Sequence, residues 1–181
     1  PTDGQLNVSL TPLFRWRVAV SGNPVLSYHA QVATNSGFTT VVKDTTLNDT
    51  TLTFGTLQNC VTYYWRVQAS SSAGMGAYRT PQTFRTLLTV PTSPTPSGPL
   101  DGAAGVVLSP TLIWSSADIC SDNFRVQVTT DTNGASFIVR TTTTSTSLPV
   151  GPLGQDIVYS WRVKSYNALD SSAFTPWRSF R

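Results

Sequence analysis

The stretch YYWRV at residues 63–67 recurs in this chain as YSWRV at residues 159–163. In each copy the Tyr, Trp and Val occupy alternate positions, and an arginine stands between the Trp and the Val. Because successive side chains of a β-strand point to opposite faces, this pattern predicts a strand with one face in a core and the other in solvent. The repetition predicts one such strand in each of two structural units.

The composition favours strands over helices. The 181 residues include no Glu and only two lysines, Lys43 and Lys164. Glu and Lys are common on helix surfaces, whereas Thr, Val and aromatic residues suit strands. Only 12% of the residues are charged, against a typical value of ~25%, so Thr and Ser supply most of the polar surface. The sequence therefore predicts an all-β protein.

The same order of strand signals runs twice along the chain. Trp65 and Trp161, for example, lie 96 residues apart, and a constant offset of this kind indicates a tandem duplication. A Pro- and Thr-rich segment separates the two copies and favours an extended backbone. We predict domain 1 at residues 1–88, a junction at 89–98 that can supply the first strand of domain 2, and domain 2 at 99–181.

An early core strand is expected at residues 12–18. Its apolar residues Phe14, Trp16 and Val18 alternate with polar ones, which places them on one face. Turn-forming residues follow at 22–24. The strand should therefore end before this turn.

A second strand of alternating pattern is expected at residues 28–32. A shorter strand is expected to include Phe38 and residues 41–42, before a Thr-rich stretch at 45–53. The second unit repeats this short strand at 137–139. With these, each unit has about seven short strands separated by turn signals, which is typical of a two-sheet sandwich.

Over essentially its whole length, the chain resembles tandem fibronectin type III domains of the divergent type common in bacterial extracellular proteins. An early-strand Trp in each unit and a Leu six residues before a Tyr carry the resemblance. It implies two tandem seven-stranded immunoglobulin-like β-sandwiches, each with a tyrosine corner in which the phenol bonds back to the backbone before its strand. Asn59 and Gln155 stand where the family has a proline. The implied core and corner residues are Trp16, Leu57, Tyr63, Trp65, Trp114, Leu153, Tyr159 and Trp161.

The resemblance also gives the two cysteines a meaning. In a sandwich of this family, the loop that carries Cys60 lies at the pole where the chain leaves domain 1, and the loop that carries Cys120 lies at the pole where the chain enters domain 2. We therefore hypothesise an interdomain disulfide that fixes the angle between the domains and implies an oxidising, extracellular setting. The alternative is two unpaired thiols.

Catalytic, metal and cofactor residues are not expected. The only histidine, His29, lies at an outward-facing strand position, and no Ser, Cys or carboxylate near it forms a recognisable nucleophile arrangement. Paired-carboxylate chemistry would have to come from nine scattered Asp residues. The segment 131–134 faintly resembles the start of a calcium loop, but a turn is the preferred interpretation because a later acidic ligand is missing.

Outward-facing cations mark the second unit. Arg125 should share a sheet face with Arg162 and Lys164, together with Gln127, and Trp177 has the parity that points outward. A guanidinium that stacks on an indole gains about 0.5–1 kcal/mol at an exposed site. We predict a structural ladder in which Arg162 lies against Trp177. The functional alternative is a cationic, aromatic patch for an acidic sugar, with Tyr64, Tyr166 and Trp177 as platforms.

The charge pattern does not indicate nucleic-acid binding. The net charge is +3 and the isoelectric point about 9.1, but the arginines are scattered singly. No apolar stretch approaches the ~20 residues that cross a bilayer, so we expect no membrane insertion of this segment, which we take as part of a longer protein.

The expected function is that of a non-catalytic extracellular or cell-surface module, such as a spacer, adhesive stalk or filament segment. Protein partners or neighbouring copies of the chain are then the expected partners. The alternatives are a carbohydrate- or protein-binding module and an accessory segment of a secreted hydrolase.

Overall fold

The computed structural model describes residues 1–17, 23–133 and 136–181. The secondary-structure elements in these ranges are all β-strands. The all-β class is therefore confirmed. No helix in these ranges is long and apolar enough to cross a membrane. The strands are β1 (Gln5–Val8), β2 (Leu13–Arg15), β3 (Val25–Ala33), β4 (Val41–Leu47), β5 (Thr51–Thr53), β6 (Thr62–Ser71), β7 (Gly74–Met75), β8 (Gln82–Thr86), β9 (Thr95–Gly98), β10 (Thr111–Ser115), β11 (Asn123–Thr129), β12 (Val139–Thr143), β13 (Ser147–Pro149), β14 (Tyr159–Tyr166) and β15 (Arg178–Phe180).

The chain divides into two compact units, unit 1 at Pro1–Leu87 and unit 2 at Leu88–Arg181. Against the seven strands expected in each, the described residues form eight strands in unit 1 and seven in unit 2. The additional strand, β7, is two residues long and forms a small hairpin with β6. Strand β9 comes from the Pro- and Thr-rich segment and pairs with β10 within unit 2.

Unit 2 is built from a three-stranded sheet, β13-β10-β9, and a four-stranded sheet, β12-β11-β14-β15. Trp114 of the smaller sheet contacts Phe124 and Trp161 of the larger one, with ring centroids 5.6 and 6.4 Å apart. Along β14 the residues alternate strictly between buried and half-buried. The core of unit 2 therefore lies between the two sheets, and β14 turns its Trp into that core.

Unit 1 has the same plan. Its larger sheet has the order β1-β8-β6-β3-β4, with β7 attached to β6, and β2 pairs with β5 in the smaller sheet. Phe14 of β2 contacts Trp65 and Phe84 of the larger sheet at ring-centroid distances of 5.4 and 5.7 Å. Each unit thus buries its own aromatic core.

The early strand is shorter than predicted. β2 ends at Arg15, and Trp16 follows the strand, half-buried, with its ring 5.6 Å from that of Tyr28. The Trp16 N–H still donates to the Thr50 carbonyl. Three residues of the predicted strand and turns lie outside the described residues. They are Val18 of the strand, Gly22 of the turn that follows it, and Gly134 of the turn in unit 2.

The strand predicted at Phe38 and residues 41–42 is present, but its predicted bounds are wrong. β4 runs for seven residues, Val41–Leu47, along the edge of the sheet. Phe38 precedes it in a turn, with a φ of 54°. In unit 2 the corresponding strand likewise begins later than predicted, at Val139. The Thr-rich sequence explains the difference, because β-branched Thr suits a strand that has one face in solvent.

Candidate functional site

The larger sheet of unit 2 has a polar outer face. Gln127 lies opposite Arg140 on one neighbouring strand and opposite Arg162 on the other, and Arg125 lies opposite Lys164. Residues that are directly opposed in a sheet share a face, and the intervening Val126, Val128 and Val163 are fully buried. The unit 2 outer face therefore consists of Arg125, Gln127, Arg140, Arg162 and Lys164.

Arg162 is held between two aromatic rings. Its guanidinium carbon lies 4.2 Å from the centroid of Phe174 and 4.2 Å from that of Trp177. Its Nε donates to Oε1 of Gln127 at 2.8 Å, and Gln127 is only 4% exposed. Burial lowers the pKa of Arg162, but a guanidinium stays protonated at neutral pH. Trp177 lies just before β15 rather than within it.

The other cations of the unit 2 outer face have looser surroundings. Lys164 Nζ donates to the Ser171 hydroxyl at 2.8 Å and lies 5.1 Å from the Phe174 centroid. The guanidinium of Arg125 lies 5.8 Å from the Tyr166 ring, and that of Arg140 lies 5.7 Å from the Phe137 ring. Within the described residues, none of the four cations forms an ion pair with a carboxylate.

Unit 1 repeats the arginine arrangement with different rings. The guanidinium carbon of Arg66 lies 4.0 Å from the Phe38 centroid and 3.9 Å from the Tyr78 centroid. Its Nε and Nη2 donate to Oε1 of Gln31, the residue opposite it on β3, at 2.9 and 2.7 Å. We call this arrangement of one Arg, one Gln and two rings an arginine clamp, and each unit has one.

A carboxylate that the sequence around His29 does not show lies beside its imidazole. Its Nε2 bonds to Asp44 on β4, and its Nδ1 lies 2.7 Å from the Tyr78 hydroxyl. The Gln31 amide donates to the other oxygen of Asp44 at 2.9 Å. Antiparallel pairing of β3 with β4 places Asp44 directly opposite Gln31, so residues that are distant in sequence meet on the outer face.

The pKa shifts show how this network is charged. Hydrogen bonds from Gln31 and His29 lower the pKa of Asp44 below its usual value. Burial raises the pKa of Tyr78, and the negative charge of Asp44 acts in the same direction, while Arg66 opposes it. At neutral pH the carboxylate is therefore ionised and the phenol is protonated.

The two outer faces diverge at two positions. At a constant offset of 96 residues, Gln31 and Arg66 of unit 1 correspond to Gln127 and Arg162 of unit 2, but His29 and Asp44 correspond to Arg125 and Arg140. The strand register agrees, because Asp44 lies opposite Gln31 as Arg140 lies opposite Gln127. Unit 1 thus has a His–Asp pair where unit 2 has two arginines.

The acidic-sugar alternative names three aromatic platforms, and these belong to different units. Tyr64 lies half-buried on β6 of unit 1, whereas Tyr166 and Trp177 belong to unit 2. Phe174, which contacts both Arg162 and Lys164, was not identified from the sequence. The sequence indicates Phe174 only by its position, 96 residues after Tyr78, and Tyr78 itself lies in no motif that indicates a role.

Most of the core residues named from the sequence are buried. These are Leu57, Tyr63, Trp65, Trp114, Leu153, Tyr159 and Trp161, whereas Trp16 is half-buried. The Tyr63 hydroxyl accepts the N–H of Gln58 at 3.2 Å, and the Tyr159 hydroxyl accepts the N–H of Gly154 at 2.8 Å. Each phenol thereby fastens the loop that precedes its own strand.

Both cysteines are disulfide-bonded. Because the chain contains two cysteines, the bond joins Cys60 to Cys120, which is the pairing hypothesised from the sequence. The alternative of two unpaired thiols is wrong. The two residues are 6% and 3% exposed, so solvent and reductants have little direct access to them.

The acidic segment of unit 2 has the geometry of a turn. Oδ1 of Asp131 accepts the N–H of Asn133 at 2.9 Å, which is a local bond typical of Asp in turns. In the described parts of the chain, no three His, Cys, Asp or Glu side chains are grouped so that they could hold a metal ion.

No protein-family model matches the chain, and no curated protein matches it. Among solved structures, it is similar to the crystal structure of the chicken CNTN1 FN1-FN3 domains, with 15% sequence identity and a TM-score of 0.46. The match covers 98% of this chain and 63% of that one. This chain therefore spans less than two thirds of the length of that structure.

Proposed function

We propose that the chain is a non-catalytic structural module, a spacer or stalk segment of an extracellular protein of the bacterial fibronectin type III-like kind. The observation that carries the proposal is the disulfide between Cys60 of unit 1 and Cys120 of unit 2. Disulfides form and persist in oxidising compartments, which supports an extracellular location. A covalent link between two folded units also suits a segment that carries tension between its ends.

The network around His29 supports a non-catalytic role. Both ring nitrogens have partners, Asp44 at Nε2 and Tyr78 at Nδ1. The pKa of Tyr78 is raised, which disfavours the phenolate that would act as a nucleophile. The network therefore acts as a set of cross-strand bonds that hold β3, β4 and the Tyr78 loop together.

The arginine clamps support the structural role in the same way. Arg66 and Arg162 each bond to a Gln on the neighbouring strand and stack on two rings from outside that strand. A charged side chain held by these partners stabilises the sheet, because its removal would take a donor from the Gln oxygen and a cation from the two rings.

Pulling single molecules by their two ends tests the proposal. A spacer has to stay folded under tension. We therefore expect a discrete unfolding event from each unit, because each unit has its own core and small domains unfold cooperatively. The Cys60→Ser/Cys120→Ser variant is the matched control and should keep these events. Gradual extension of the oxidised chain without discrete events would contradict the proposal.

A further inference from the structure

The charges of unit 2 are segregated although they cancel. Between Leu88 and Arg181 there are six Lys and Arg residues and six Asp residues. Four of the six cations lie on the unit 2 outer face, on the neighbouring strands β11, β12 and β14. The Asp residues lie elsewhere, in turns and loops; Asp101, Asp118, Asp131 and Asp170 accept bonds from nearby backbone N–H groups, and Asp156 pairs with Arg181.

Four cations on adjacent strands repel one another. Strands in a sheet lie ~4.8 Å apart, so neighbouring cations on this face are within the ~10 Å over which charges interact at moderate salt. The described residues of unit 1 form no such cluster, and unit 1 carries Asp44, which faces Gln31 beside Arg66, at the position that corresponds to Arg140. Unit 2 has Arg140 at that position, so its outer face retains a charge that an anionic ligand would compensate.

We infer that the unit 2 outer face binds an acidic polysaccharide, which goes beyond the spacer function. Arg125 and Arg140 are the proposed contact residues, because Arg162 is held in its clamp and Lys164 is bonded to Ser171. A guanidinium recognises carboxylate and sulfate groups alike, by paired N–H···O bonds. The binding surface therefore fits the repeated anionic groups of a uronic-acid or sulfated glycan.

Two further observations favour a polysaccharide over other polyanions. The face is a sheet surface that spans three strands, which suits an extended chain with several weak contacts rather than a small molecule in a pocket. The disulfide points to an oxidising setting outside the cell, where acidic polymers are mainly glycans. The half-exposed rings of Tyr166 and Phe137 lie next to Arg125 and Arg140, respectively. They offer apolar surface to the faces of sugar rings.

The two units supply the test variant. Arg125→His/Arg140→Asp gives unit 2 the residues that unit 1 carries at the same strand positions, so the sheet should tolerate both changes. The charge-matched control is Arg15→His/Arg79→Asp, which makes the same change in net charge at two exposed arginines of unit 1. Thermal unfolding of all variants verifies that each is folded.

Binding of the oxidised chain is measured by calorimetry to polygalacturonate, dextran sulfate, neutral dextran and a single-stranded oligonucleotide. We expect the parent chain to bind one or both acidic polysaccharides and not neutral dextran, with an affinity that falls as salt is added. Polygalacturonate alone would indicate a carboxylated ligand, and dextran sulfate alone a sulfated one. The Arg125→His/Arg140→Asp variant should lose about tenfold in affinity, and the control less than about twofold.

Three results would overturn the inference: no binding of either acidic polysaccharide, an equal loss in the control variant, or tighter binding of the oligonucleotide than of both polysaccharides. If the double variant does not fold, Arg140→Thr replaces it, because Thr already occupies the three following positions of β12. That variant should lose about threefold in affinity. An unchanged affinity in Arg140→Thr would equally contradict the assignment.

Discussion

Arg66 and Arg162 occupy corresponding strand positions, but different segments supply one of their two rings. In unit 1 one ring comes from the turn before β4 and the other from Tyr78, whereas in unit 2 both come from the segment just before β15. The Gln partner is common to both units. The shared part of the clamp is thus the cross-strand Arg–Gln pair with the ring of Tyr78 or Phe174, which are 96 residues apart, and only the second ring comes from a different segment in each unit.

Replacing the clamp arginine should destabilise the unit that contains it. Arg66→Met and Arg162→Met keep the apolar stem but lose the stacking and the bond to Gln, so we expect each to lower the free energy of unfolding by about 1–2 kcal/mol. Arg79→Met, at an exposed arginine, is the control and should change it by less than about 0.5 kcal/mol. Urea unfolding measures all three, and equal effects in the clamp and control variants would argue against a structural role.

The core tryptophans should be far less tolerant. Trp65 is buried and contacts Phe14 of the opposite sheet, and truncating such a ring costs about 3–5 kcal/mol. Because small domains are stable by only about 5–15 kcal/mol, Trp65→Ala should leave unit 1 largely unfolded near 40 °C while unit 2 keeps its own transition. Calorimetry resolves the two units, and an unchanged melt of unit 1 would contradict this expectation.

At the residue scale, the sequence predicts inward positions better than outward contacts. Alternation placed Trp65, Trp114 and Trp161 in the cores, because a strand period needs only local sequence. The bond between His29 and Asp44 depends on which residues of β3 and β4 face each other, and that register is not visible in either strand alone. Phe174 was missed for a related reason, since it reaches Arg162 from a loop without periodicity.

Each unit has an Asp-Gly turn that is bonded to its last strand. Asp3 accepts the N–H of Thr83 at 2.7 Å, and Asp101 accepts the N–H of Ser179 at 2.7 Å. These bonds favour the ionised carboxylate, and the pKa of each Asp is lowered. The turn therefore joins the segment before β1 to β8 in unit 1, and the segment after β9 to β15 in unit 2.

The stability that these turns contribute should depend on pH. A carboxylate whose pKa is lower in the folded state stabilises the fold above its unfolded pKa of 3.8, and this stability is lost as the pH falls through the folded value. We expect Asp3→Asn/Asp101→Asn to be less stable than the parent at pH 7 and to lose less stability between pH 5 and pH 2. Urea unfolding at these pH values gives the comparison, and an equal acid loss in both proteins would contradict it.

At the element scale, strand existence was predictable and strand length was not. The sequence predicts a short β4 because only Val41 and Val42 are apolar at its start. Thr45 and Thr46 nevertheless continue the strand opposite β3. A Thr-rich sequence fits an edge strand and a loop equally well, so only pairing with β3 decides between them. The early strand ended sooner than its alternating pattern indicated, at Arg15.

The bond between Cys60 and Cys120 links two loops that are distant in sequence. The pairing was inferred from a resemblance in which loops lie at particular poles, and composition or spacing alone would have left two unpaired thiols as an equal alternative. Since both cysteines are bonded, we expect no reaction with a thiol reagent in denaturant without reductant, and two thiols per chain after reduction. Two reactive thiols before reduction would contradict the bond.

Each unit should survive loss of the disulfide. The two hydrophobic clusters contain residues from one unit only, so neither core needs the bond for its packing. We expect the Cys60→Ser/Cys120→Ser variant to retain the far-UV circular dichroism of the parent and to show cooperative thermal unfolding, at a lower temperature because the unfolded chain is less constrained. Loss of the folded spectrum would mean that one unit depends on the bond.

A spacer that contains the Cys60–Cys120 disulfide should extend less on pulling while the bond is intact, because the bond excludes the residues between the two cysteines from the stretched chain. The two cysteines lie 60 positions apart, and extended chain spans about 3.3–3.6 Å per residue, so the oxidised chain should fully extend to a length about 200 Å shorter than the reduced chain. Discrete unfolding events with this difference in final length are the predicted result. Equal final lengths before and after reduction, or extension without discrete events, would contradict the account.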